Sequence, residues 1–317
     1  MLKEFITGKT YPKKLANVVL AGKKMFPALI LVLCICGFIS CNNQNKTKDE
    51  SLILVCGDSK VLIAKAAKSN DTIPDILWSW DAHTANDLPG HFKAEKFNTV
   101  DDCKAIRDGR QIMVSSSSGA VAIINKEDKK ILFCADVPNA HSIELLPDNK
   151  LVAAASTAKG GNRLMLFEIS TPPVLLFSDS LYSAHGVVWD AANNSLFALG
   201  YDVLREYKMD EDVLILQDEW IIPGISGHDL QMTPDGKHLF ITEHTGAWMF
   251  SMESKQFSKI DGFPDAENIK SINRNSDGRY VFTVPEESWW TYHVEFYNPS
   301  GRLSFPGMHV YKARWFN

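Results

Sequence analysis

Residues Gly227–Phe250 read GHDLQMTPDGKHLFITEHTGAWMF. The pattern predicts a strand from His228, a turn at Thr233–Gly236, a strand over Lys237–Thr242, a turn at Glu243–Gly246 and a third strand. Proline presets φ and glycine accepts positive φ, so Pro-Asp-Gly between alternating apolar runs is a turn signal with a mechanism. The same unit recurs. Aligning the turn residues Asp108, Asp148, Asp235 and Asp277 places Asp101, His141, His228 and Lys270 seven residues ahead of each. A looser copy, HGVVWDAANNSLFALGYD, starts at His185, and the five starts are 40, 44, 43 and 42 residues apart. A period of about 40 residues with short strands in each unit is the signature of β-propeller blades.

Working outward, Ser51–Cys56, Val61–Lys65 and Ile76–Trp80 read as three strands with no starter strand before them. Gly307–Trp315 reads as one strand with no followers, and His309 lies one repeat after Lys270. The two ends therefore complete one blade, with the C-terminal strand innermost, and closure removes the exposed sheet edges of an open array. The expected fold is all-β, a six-bladed propeller in one domain over 51–317. Its blades are 309–317 with 51–80, then 101–136, 141–178, 185–222, 228–260 and 270–304. A seven-bladed ring is the alternative, because Asp81–Thr99 is a long insertion without a clear strand. That insertion, which carries His83 and His91, is expected as a loop or short helix over one mouth.

The chain has 317 residues, 45% of them hydrophobic, and a formal charge of −5. It can bury a large core, and its 51–317 part has no basic run of the kind that binds nucleic acid. Residues 1–41 read as a targeting segment, with a lysine-rich start, an apolar run over Pro27–Ile39 and then Ser40-Cys41. That ending resembles a lipobox, which makes Cys41 the lipidation site and 42–50 a flexible tether. Localisation is then the bacterial cell envelope, on the periplasmic face or the outer-membrane surface. Cys56, Cys103 and Cys134 lack metal or disulfide spacing and read as buried small hydrophobes.

In a four-stranded blade the innermost strand lines the channel, so the first residues of these strands meet at one mouth. They are Asp101, His141, His185, His228, Lys270 and His309. Turns at that mouth add Tyr201, Glu243 and Trp289. Convergent imidazoles with a lysine can bind an anionic group or move protons near neutral pH, with titration expected between about pH 5 and 8. His141, His185 and His228 are also candidate ligands for a divalent metal, the one cofactor entertained. The competing reading is a wet channel in which histidines serve structure alone.

Asn139–Pro147 (NAHSIELLP), Ala184–Asp190 (AHGVVWD), Gly227–Leu230 (GHDL), Trp289–Thr291 (WWT) and Tyr311–Trp315 (YKARW) together resemble a family of bacterial β-propeller lipoproteins of unknown function. The resemblance runs from about residue 51 to 316. It implies the propeller and a secreted lipoprotein, and it carries no catalytic residues. TPDGKHLFIT is also similar to lactonase-like propellers. The expected function is a membrane-anchored monomer that binds, and in one version processes, a carbohydrate or anionic small molecule at the histidine-lined site. The alternatives are a protein-interaction scaffold and a metal-dependent polysaccharide lyase or hydrolase.

Overall fold

The quoted stretch folds as read. In the computed structural model, which describes residues 52–66 and 72–316, β16 spans Asp229–Met232, β17 His238–Glu243 and β18 Gly246–Ser251. Thr233 and Asp235 tie the turn: the Thr233 hydroxyl donates to Asp235 Oδ1 at 2.6 Å, and the same oxygen accepts from Lys237 N at 3.1 Å. Gly236 supplies the positive φ of 67°.

The described residues form six antiparallel four-stranded sheets. Blade two holds β4 (Val100–Ile106), β5 (Gln111–Ser116), β6 (Ala120–Asn125) and β7 (Ile131–Asp136). Blade three holds β8 (Ala140–Leu146) to β11 (Val174–Ser180), and blade four β12 (Gly186–Asp190) to β15 (Val213–Ile221). Blade five runs from β16 to β19 (Phe257–Lys259), and blade six from β20 (Ser271–Arg274) to β23 (Gly301–Ser304). Blade one is the composite. Its order is β24 (Val310–Trp315), β1 (Leu52–Gly57), β2 (Lys60–Lys65) and β3 (Ile76–Asp81). The C-terminal strand is innermost and runs antiparallel to β1, with Ile53 opposite Trp315 and Cys56 opposite Lys312. The ring has six blades, as expected.

Apolar side chains on alternate strand positions pack between blades. Ile53, Val55, Ala313 and Trp315 of blade one meet Val281, Val294 and Phe296 of blade six across the closing seam. Trp80 lies with Phe97 and Cys103 in the cluster between blades one and two, and the three described cysteines are buried and free. Among the described residues no helix is long and apolar enough to cross a membrane. Residues 1–51, which carry Cys41 and the tether, lie outside the described residues.

The insertion takes a different place from the one expected. It forms two 3-10 turns, Ala82–Thr84 and Ala94–Phe97, and its contacts run along the outer edge of blade two. Asp87 Oδ2 accepts from Ile131 N of β7 at 2.7 Å, and Phe92 and Phe97 are buried. Two phenylalanines gain more under the outer strands than over a wet mouth, and Asp87 satisfies an otherwise unpaired edge amide. His83 pairs with Asn98 within the insertion, and His91 lies against Phe92.

Candidate functional site

Each innermost strand enters the channel through an irregularity. Val100 and Asp102 oppose Ser116 and Ser115, and Ala140 and Ser142 oppose Ala155 and Ala154, which leaves Asp101 and His141 as extra residues. In blades four to six, His185 and Gly186 both face Leu199, His228 and Asp229 both face Thr242, and Lys270 and Ser271 both face Thr283. In the closing strand Val310 and Lys312 oppose Gly57 and Cys56, and the extra residue is Tyr311. A bulge of this kind re-aims a side chain. The sixth ring position therefore belongs to Tyr311, which lies 41 residues after Lys270, and not to His309.

The ring is tight on one side. The His141 and His185 rings lie 4.2 Å apart, His185 and His228 6.0 Å apart, and Tyr311 reaches His141 at 6.2 Å. Lys270 Nζ is 2.9 Å from His228 Nε2. His141 Nδ1 meets the Asn139 carbonyl at 3.1 Å, and His185 Nδ1 meets the Ser183 carbonyl at 2.8 Å. A carbonyl only accepts, so Nδ1 carries the proton in both rings and Nε2 keeps its lone pair. Lys270 donates to His228 Nε2, which leaves His228 Nδ1 as a buried donor without a hydrogen-bond partner among the described residues.

Charge is distributed unevenly. Burial, with nearby cations, lowers the pKa of His141 to about 3 and that of His228 to about 2, and His185 falls well below its ordinary value. The imidazoles are therefore neutral throughout the pH 5–8 window in which they were expected to titrate. Burial and the Lys312 charge lower Lys270 to about 8, and burial raises Asp101 to about 7.

A charged layer lies beneath the ring. Arg314 spans the axis, with Nη2 at 2.6 Å from Asp102 Oδ1 and 2.8 Å from Asp229 Oδ1. Lys312 Nζ donates to Asp229 Oδ1 at 3.1 Å, and Lys104 to Glu144 at 2.9 Å. Burial pushes Asp102 and Asp229 upward, but Arg314 and Lys312 overcome it and hold both below the usual carboxylate range. Lys270 has no such partner: among the described residues no carboxylate lies within ion-pair reach of it.

The remaining candidates stand elsewhere. His309 sits on the rim, its Nδ1 2.9 Å from Asp58 Oδ1. Glu243 is fully buried and accepts from Thr245 N, Thr245 Oγ1 and Trp248 Nε1, so its own turn absorbs the carboxylate. Tyr201 lies against Tyr182, with ring centroids 5.5 Å apart. Trp289 is 56% exposed and stands at 86° to Trp290. With Asp58, Asp101, His309 and Tyr311 these two indoles line a side cavity of about 110 Å³. Among the described residues no group of three His, Cys, Asp or Glu side chains is arranged to hold a metal ion.

A family model described as a family of unknown function (DUF6528) matches residues 23–317. No curated protein matches the chain.

Proposed function

From a chain that belongs to this family of unknown function, we propose a binding protein for a small hydroxylated anion, such as a sugar acid, at the axial ring. One observation carries the reading. Lys270 is 7% exposed and positively charged at neutral pH, and among the described residues no carboxylate compensates it. A buried cation without a counter-ion is costly, and an anionic ligand in the mouth supplies the missing partner. The Nε2 lone pairs of His141 and His185 would accept from ligand hydroxyl groups. Neutral imidazoles beside the lysine keep the site from repelling its own proton donors. The protein would be held in the cell envelope through Cys41, with the propeller displayed beyond the 42–50 tether.

Calorimetric titration with glucuronate, galacturonate and glucose tests the reading. The two acids bind, glucose does not, and Lys270→Met removes binding while the melting temperature is kept. Affinity holds from about pH 5 to 7 and falls toward tenfold per pH unit above about 8, because the anion needs the protonated amine. Equal binding of glucose, or a Lys270→Met protein that binds acids normally, would sink the proposal. Anchoring has its own test. Cys41→Ala should move the protein from the membrane fraction to the soluble fraction, and unchanged fractionation rejects the lipid.

A further inference from the structure

The side cavity differs from the ring in chemistry. Trp289 and Trp290 meet at right angles, with centroids 5.1 Å apart, and Trp290 lies 4.9 Å from the His309 ring. Asp58, Asp101 and Tyr311 line the same cavity. Indole faces are electron-rich and attract cations, and a carboxylate across the same space adds to that attraction. At about 110 Å³ the cavity is well below the roughly 300 Å³ of pockets that enclose whole drug-sized ligands, so it suits a head group.

We propose that this cavity binds a small organic ammonium group, held against Trp289 and Trp290 and facing Asp58 and Asp101. The inference does not depend on the anion reading of the ring. Asp58 already accepts from His309 N at 3.1 Å and from His309 Nδ1 at 2.9 Å, which aims the carboxylate. Asp101 accepts from Ser117 N and is 5% exposed. Burial holds its carboxyl partly protonated near pH 7. A bound cation favours the ionised form, so affinity rises as pH passes upward through about 7. The other charged or titratable groups facing Asp101 are Asp102, Lys312, Tyr311, Asp58 and His309.

The probe is choline chloride, titrated calorimetrically into the protein at constant ionic strength. Its neutral isostere 3,3-dimethylbutan-1-ol is run beside it. The expected result is choline binding that the neutral alcohol fails to match by roughly tenfold. Trp289→Ala should weaken choline by about tenfold without changing the melting temperature, because the side chain is exposed. Asp101→Asn should remove the rise in affinity between about pH 6 and 8. No choline binding, equal binding of the alcohol, an unaltered Trp289→Ala titration or an Asp101→Asn protein that keeps the rise would each overturn the proposal. Phosphatidylcholine vesicles form the last arm: co-sedimentation assigns a lipid head group, and choline binding without it assigns a free solute.

Discussion

His141, His185 and His228 stay uncharged at neutral pH because ionising them in the channel costs more than water returns. That has a consequence for stability. Their folded pKa values lie below the ordinary histidine value of 6.5, so between these limits the unfolded chain binds more protons. The stabilisation is complete above about pH 6.5 and is lost as pH falls toward 3, by up to about 1.4 kcal/mol per pH unit for each ring. Asp101 and Glu144, both raised by burial, work against this slope but are fewer than the three imidazoles. Thermal melts should therefore fall from pH 7 to 5, and less steeply in His185→Gln than in the unaltered protein. A flat wild-type profile, or a variant that falls as steeply, would contradict the assignment. At this scale the sequence was a partial guide. Five ring residues were legible, four because a turn seven residues downstream set their register and His185 because it opens a looser copy of the same unit. The Arg314–Asp102–Asp229 bridge was not, since it joins residues 212 and 85 positions apart and depends on bulges that turn consecutive residues toward the axis.

Among the elements, β24 is the innermost strand whose phase the repeat does not set. Every other innermost strand is followed by its own turn and second strand, which fix its phase. The closing strand has no such successor, so His309 was placed where Tyr311 stands. The register is settled instead by backbone packing at Gly57. A Cβ there would lie 1.9 Å from the His309 carbonyl oxygen, closer than any contact a side chain can make. Gly57→Ala is thus expected to displace β24 and to cost roughly 3 kcal/mol or more, in the upper range for single substitutions. Chemical denaturation measures it, and a loss under about 1 kcal/mol would show that the strand can shift freely. The insertion was misplaced for a related reason. Its length without a clear strand suggested a cover over one mouth, while the burial of Phe92 and Phe97 decided the outer edge.

For the whole molecule, the architecture was legible almost completely, because a repeat of about 40 residues states the same strand pattern several times and errors in one copy are corrected by the rest. Closure is the property no single blade contains. Removing Gly307–Asn317 leaves β1 and β20 without β24 between them and opens the cluster of Ile53, Val55, Val281 and Val294. The truncated protein should lose its single cooperative unfolding transition and aggregate through the freed edges. A transition at the original temperature would refute the role given to β24. The same joint sets an order in time. Blade one is begun by residue 52 and finished by residue 315, so during synthesis its three outer strands must wait while the other five blades are made. The first part of the propeller to leave the ribosome is the last that can be completed.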